Sequence, residues 1–382
     1  MTSADTRIVL QRLRNQRVAG STFRTSADVV SWLGAVQAQD YPAARWAVGQ
    51  RAKALSDASV QQAVDDGTIL RTHVLRPTWH FVTPADIRWM LNLTAPRVKA
   101  ACAFYHRQAG LDGRIFAKSQ AIIARALEGG LQLTKQELRS ILERAGIKGN
   151  SVAIGHVLLQ AELDAVVCSG ARRGKQFTYA LLEERAPRAR VLARDEALAE
   201  LTRRYFQSHG PAMINDFVWW SGLTVRDAKA GIAMVTPALV RTSLEDREYW
   251  HVGPTSPAAR LQPAAYLLPN FDEYVVAYRD RSLIIGREAR QKGSRRGPES
   301  GRARKSTSVI PAANEVFAHV IVIDGRIAGT WKVVAKAGVG TVDARPYRVM
   351  TREETRLLTR AAERYGRFLD MPIELSTSGA RV

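Results

Sequence analysis

The feature that most limits what this chain can fold into is a unit of sequence grammar that recurs three times. Two or three short helical patterns are followed by two β-rich runs around a tight connection. The middle instance is the clearest. Residues 119–129 read as a helix stopped by Gly129-Gly130, and Thr134-Lys-Gln-Glu137 is a capping box that opens a helix through Arg144, with Gly146 as its stop. Residues 151–164 read as a third helix, apolar at Val152, Val157, Leu158 and Leu163. Two β-rich runs then flank a basic tip of Arg172, Arg173 and Lys175, which is the pattern of a winged helix-turn-helix.

The first instance places helices at 5–16, 26–39 and 56–66 and strands near 69–75 and 78–82. The third places helices at 194–208, 211–220 and 224–234 and a ribbon near 238–251. A long helix opening at Thr83-Pro-Ala-Asp86 joins the first two, with Pro84 at its first position, where a missing N–H does no harm. After Pro263 the texture changes to strands at 265–268, 318–323 and 327–334, the last two joined by the two-residue hairpin signal Asp324-Gly325. Asp272 and Tyr274 read as the start of a strand, and a helix over 352–369 closes the chain. The expected fold class is α+β: three tandem winged units at 1–118 (with the linking helix), 119–190 and 191–262, then a β-rich segment at 263–382.

Charge narrows the partner. Fifty-six Lys and Arg face 36 Asp and Glu, a formal +20. Phosphate contacts by such residues release condensed counterions, so a nucleic acid is the expected partner, although a membrane surface or a ribosome fits the charge alone. No apolar run approaches the roughly 18 residues that span a bilayer, and the N-terminus lacks a signal-peptide pattern. Cys102 and Cys168 form no CxxC pair and the histidines show no metal spacing, so two reduced thiols, no metal and no cofactor are expected in a cytoplasmic, nucleoid-associated protein.

Four fragments occur in order: Val36-Gln37-Ala38-Gln39-Asp40; Arg76-Pro-Thr78-Trp79-His80-Phe-Val82; Leu268-Pro-Asn-Phe271-Asp272-Glu273-Tyr274 with Tyr278-Arg279-Asp280-Arg281; and Asp324-Gly325-Arg326 with Gly329-Thr-Trp331-Lys332. Together they resemble the winged-helix DNA glycosylases that hydrolyse N7-alkylated purines and unhook interstrand crosslinks. Within that family the Gln-x-Gln form is similar to the azinomycin self-resistance branch of actinobacteria rather than to the Gln-x-Asp branch. The resemblance runs from about residue 5 to about residue 370. It implies a C-shaped scaffold of three winged helices whose concave face takes alkylated or crosslinked double-stranded DNA, and a monofunctional enzyme. No lysine stands out as a Schiff-base nucleophile, so no coupled lyase step is expected.

The chemistry suits a glutamine pair. An N7-alkylated purine already carries positive charge and leaves without a general acid, so catalysis reduces to placing a water and stabilising charge on the sugar. Glutamine cannot exchange a proton near neutral pH, but its carbonyl can orient water and its amide can bond sugar or phosphate. Gln37 and Gln39 are therefore the catalytic candidates, with Asp40 as the rival carboxylate. Positions two apart diverge on a regular helix, so the helix has to end there, and Pro42 disfavours helix at Tyr41.

The DNA-binding candidates are Arg45, the strand face of Arg76, Thr78 and His80, the wing tip Arg172, Arg173 and Lys175, Arg279 and Arg281, and Arg326 and Lys332. Trp79 and the pair Trp219-Trp220 read as core. The Asp324-Gly325 hairpin and the turn at 337–340 are equal candidates to enter the minor groove. The stretch 279–305, with ten basic and three acidic residues, reads as a phosphate-contacting or simply solvated loop. A non-catalytic winged-helix transcription regulator is the competing class. Three units in one chain and no heptads argue for a monomer instead. If phosphates dominate binding, duplex affinity should fall by orders of magnitude between about 50 and 200 mM salt; a flat titration would remove phosphate contact from the account.

Overall fold

Side-chain caps and glycine stops set the boundaries of the first segment. A computed structural model describes residues 3–244, 246–253, 262–285, 318–336 and 339–378. Helix α1 (Ser3–Asn15) is followed by α2 (Ser26–Leu33), which opens on a reciprocal Thr25–Asp28 capping box and stops at Gly34, where φ is 82°. The helix expected over 26–39 therefore ends at Leu33, and the chain enters a short strand, β1 (Val36–Gln37). Helix α3 (Tyr41–Gly49) begins directly after it, capped by Asp40, whose carboxylate accepts from Ala43 N at 3.2 Å. Pro42 thus opens a helix rather than ending one.

Helix α4 (Asp57–Asp65) leads to β2 (Leu70–His73) and β3 (Trp79–Val82). The three strands pair antiparallel in the order β1-β3-β2, with Gln37 opposite His80 and His73 opposite Trp79. Helix α5 (Ile87–Gln108) starts behind Asp86, so Pro84 sits in the turn ahead of it and not at its first position.

The second segment comprises α6 (Gly113–Leu127), β4 (Leu133–Thr134), α7 (Lys135–Arg144), α8 (Ser151–Leu163), β5 (Val167–Ser169), β6 (Thr178–Leu181) and the single turn α9 (Leu182–Arg185). The Thr134–Glu137 capping box and the stop at Gly146 are present. Ile123, Leu127, Leu138, Leu142, Val157 and Leu158 give this segment a core of its own, whereas Val152, expected on the apolar face, is exposed. The third segment holds α10 (Arg194–Ser208), α11 (Ile214–Ser221), α12 (Val225–Val235) and the ribbon β7 (Leu239–Leu244) with β8 (Arg247–Val252).

The remainder contains β9 (Ala265–Leu268), the single turns α13 (Glu273–Val276) and α14 (Ser282–Ile285), β10 (Val320–Ile323), β11 (Arg326–Lys336), β12 (Val339–Pro346), α15 (Arg352–Leu369) and β13 (Ile373–Thr377). Its five strands run β13-β12-β11-β10-β9; β12 and β13, a parallel pair, have no counterpart in the sequence reading. The fold is α+β. No described helix is long and apolar enough to cross a membrane. Residues 286–305 of the expected basic loop, and 337–338 of the second candidate turn, lie outside the described residues.

The first segment does not close on itself. Val36, Trp46 and Phe81 share one apolar core with Leu267, Ile321, Trp331 and Phe368 from the C-terminal sheet and helix. At the heart of this junction Arg51 clamps Asp272 through two bonds of 2.8 and 2.7 Å, both side chains being wholly buried. The same guanidinium donates to Gln16 O, Gln16 Oε1 and Ala47 O, and Asp272 also accepts from Gln50 Nε2 and Tyr274 N. Asp272 and Tyr274 consequently lie in a capped turn and not at a strand start: Asp272 is the N-cap of α13. Removing one partner leaves the other charge buried and uncompensated. Asp272→Asn should lower unfolding stability by about 3–5 kcal/mol in urea titrations, and a loss below about 1 kcal/mol would show that the clamp contributes little.

Candidate active site

Gln37 reaches its position because β1 pairs with β3 and buries it. Its backbone N–H donates to Glu273 Oε1 at 2.8 Å, and its side-chain carbonyl accepts from Arg76 Nη2 at 2.8 Å. A guanidinium can only donate, so the amide orientation is fixed: Oε1 is engaged and the NH₂ is left for other partners. This reverses part of the expected division of labour, in which the carbonyl oriented water. Glu273 was not among the candidates. It is fully buried and also accepts from Trp220 Nε1 at 3.0 Å, with His209 Nε2 3.5 Å away. Burial pushes this carboxyl up, but His209 and the Gln37 N–H outweigh burial and hold it below its usual value.

Arg76 and Thr78 lie in the bend before β3 rather than on the strand. Arg76 Nε, Thr78 Oγ1 and His80 Nε2 are buried polar atoms with no hydrogen-bond partner among the described residues. Two such atoms in the bend and a third on the adjoining strand, opposite Gln37, mark a place built to meet something further. The Arg76 guanidinium lies 5.7 Å from the ring centre of Trp219, and that of Arg281 lies 5.5 Å from it. Trp220 is core, as expected, but Trp219 is 38% exposed and belongs to this rim. Trp79, expected in the core, is likewise only half-buried, beneath Arg71 and His73.

Gln39 is exposed, and its carbonyl lies 3.4 Å from Trp79 N. The extended backbone at 36–37, continued by Ala38 N to Trp79 O at 2.7 Å, removes the divergence that a helix would impose on the two glutamines. Gln39 lines an open cleft of about 480 Å³ with Asp40, Tyr41, Pro42, Arg172, Phe177 and Phe271. Asp40 also accepts from Asn270 Nδ2 at 3.0 Å. Arg71, another residue absent from the candidates, donates to Ala38 O and lies 4.4 Å from the Phe177 ring centre; burial pulls it down to about 10. Phe271 holds a left-handed φ of 57°, a conformation that disfavours a bulky side chain.

The other candidates are dispersed. Arg172 is folded inward, its guanidinium 5.0 Å from the Tyr41 and Phe177 ring centres and its N–H on Asp65. It joins the cleft rather than projecting from a free wing. Arg173 is tied to Glu137 and Gln132 O, while Lys175 is exposed. Arg45 pairs with Asp57 at 2.8 Å, and Lys332 lies 3.5 Å from Asp343. Arg279 is exposed, and Arg281 Nε donates to Val275 O. Arg326 lies 3.4 Å from Thr6 Oγ1. In the Asp324-Gly325 turn Asp324 is exposed, whereas Gly325 is buried, its carbonyl accepting from Tyr274 OH at 2.8 Å.

Residues 30–368 match the protein family described as DNA glycosylase AlkZ-like. The chain is 24% identical over 340 residues to the interstrand DNA cross-link repair glycosylase of Streptomyces sahachiroi, covering 85% of this chain and 86% of that one. Its fold is similar to the solved structure of Streptomyces sahachiroi DNA glycosylase AlkZ, with a TM-score of 0.77, 21% identity, and coverage of 98% of this chain and 100% of the other.

His80, expected to face DNA, is wholly buried. Its Nδ1 lies 2.9 Å from Thr78 O, and burial, reinforced by the charge of Arg76, pushes it down to about 3. The ring is therefore neutral and turned inward rather than exposed on the strand face. Because its folded value lies below the unfolded value of about 6.5, its contribution to stability is complete above pH 6.5 and is lost as pH falls toward 3. Its ring resonances in an NMR titration should not move between pH 8 and about pH 5; a midpoint near 6.5 would mean that the ring meets water.

Proposed function

The chain belongs to the AlkZ-like DNA glycosylase family, and from that premise we propose that it hydrolyses the N-glycosidic bond of N7-alkylated guanine in duplex DNA. The reading extends to unhooking interstrand crosslinks, and so to self-resistance against a DNA-alkylating agent, by a monomer acting in the cytoplasm on nucleoid DNA. The observation that carries it is the oriented amide of Gln37, fixed by Arg76 beside three buried polar atoms without partners.

The alkylated base leaves neutral, taking the bonding electrons of the bond to C1′, while positive charge develops on the sugar. A water oxygen adds to C1′ and releases its proton to solvent, giving an abasic site. Gln37 offers its NH₂ to a sugar or phosphate oxygen, which positions the nucleotide. Gln39 and Asp40 supply the acceptor atoms at the cleft mouth that orient the water. The buried Glu273 carboxylate behind Gln37 favours positive charge forming in front of it. Arg76, Arg281, Arg279 and Lys175 are the cations we assign to phosphate contact. Arg173, Arg45 and Lys332 are already held by carboxylates and contribute less.

The test is incubation with a duplex carrying 7-methylguanine, followed by chromatography for free base and alkali for abasic sites. Release of the base is expected. Gln37→Ala and Gln39→Ala should each slow single-turnover excision at saturating enzyme by about 10- to 100-fold, with duplex affinity within a few-fold. If Asp40→Asn abolishes excision while both glutamine variants stay active, the catalytic role passes to Asp40.

A further inference from the structure

The aromatic cleft beside Gln39 has walls from three distant parts of the chain: Tyr41 next to the glutamines, Arg172 and Phe177 from the second segment, and Phe271 from the C-terminal part. We propose that this cleft is a stacking slot for the alkylated purine itself, holding the base as its bond to the sugar breaks. The inference rests on the glycosylase reading and specifies where the leaving group goes.

Its dimensions and chemistry fit a heteroaromatic ring. A volume of about 480 Å³ lies within the roughly 300–1,000 Å³ of ordinary small-molecule sites. Tyr41 and Phe177 meet edge to face at 5.1 Å, and the planar Arg172 guanidinium lies 5.0 Å from both ring centres, so the half-buried Phe177 and Phe271 rings and that guanidinium are the flat groups a base could stack on. The cleft is open rather than enclosed. A base still joined to a bulky substituent or to the opposite strand can enter an open slot with its adduct outside, where a closed pocket would reject it.

Two further observations point the same way. Phe271 places a large, half-buried ring in the lining at φ 57°, a backbone position that disfavours a bulky side chain. Arg172 has a buried Nε with no hydrogen-bond partner among the described residues. Its charge also has a direction. The base enters as a cation and leaves neutral as the N9–C1′ electron pair passes to it. A fixed guanidinium on the base's side disfavours the charged ground state and leaves the neutral product untouched, which lowers the barrier.

Phe271→Gly removes the ring at a backbone position that glycine adopts readily, which offsets part of the lost packing, so the variant should still fold. On a 7-methylguanine duplex its saturating single-turnover rate should fall about five- to a hundred-fold, with duplex affinity unchanged within a few-fold and Phe271→Tyr restoring the rate. Free 7-methylguanine should give saturation-transfer NMR signals with the wild-type protein and lose them with Phe271→Gly. Wild-type excision by the glycine variant overturns the slot. So does a lowered Tm that the tyrosine variant does not repair, because Phe271 would then be a packing residue. If the wild-type protein releases no base from DNA, the glycosylase reading fails; the free-base experiment still decides the slot, and absence of signal there removes it.

Discussion

The Arg51–Asp272 clamp is the interaction on which the remaining geometry rests. Arg51 follows α3, and Asp272 caps the turn that begins at Glu273. Fixing one against the other sets the distance between the strand carrying Gln37 and the carboxylate that receives its N–H. Ion pairs this deeply buried are not in general more stabilising than apolar packing of the same volume; their value lies in admitting one arrangement. Here the guanidinium has partners on Gln16, Ala47 and Asp272, so a shift of any one element breaks several bonds together. The junction is therefore specified as well as held.

The two neighbouring acids, Asp272 and Glu273, are handled differently, and the difference is chemical. Asp272 is neutralised face to face by a guanidinium. Glu273 takes neutral donors, the Gln37 amide and the Trp220 indole, with His209 at longer range. In a protein of formal charge +20, a buried carboxylate without a bidentate cation is a deliberate local negative. Arg76 stands on the far side of Gln37, so the glutamine lies between a buried anion and a half-buried cation. That field is fixed before any substrate arrives and needs no reorganisation during the reaction, which is the condition under which electrostatic stabilisation is most effective.

Local grammar was readable wherever the determinants are local. The Thr134–Glu137 capping box, the basic ribbon of the second segment, the Asp324-Gly325 hairpin and the helix Arg352–Leu369 all follow from residues within a few positions of one another. The glutamines were legible as residue types, but the backbone carrying them was read as helix although Gly34 was available as its stop. The unread parts depend on distant partners. Glu273 meets Gln37 across 236 positions, and the N–H of Arg172 meets Asp65 across 107. His80 was placed outward by strand alternation, which gives two faces but does not say which of them a third element covers. Phe271 gave no sign at all, because nothing in its neighbours' identity announces a left-handed φ.

The assembly of the cleft follows from the same logic of distant contacts. The second segment has its own core, but Leu159 and Leu163 of α8 turn away from it into the core shared with the first and third segments. It is seated by the large apolar core, in which Leu159, Leu163, Cys168 and Leu182 pack with Leu70, Val82, Val98 and Cys102, and by polar bonds: Arg172 N to Asp65, Arg185 to the carbonyls of Val64 and Asp65, and Arg71 N to Ser169. Those bonds set how far Phe177 and Arg172 stand from Tyr41, and hence the width of the cleft. The opposite wall is set by the Arg51–Asp272 clamp through the turn that carries Phe271. One wall is thus held by a shared apolar core with part-buried and buried polar bonds, and the other by a wholly buried ion pair. The second cannot yield without stranding a charge.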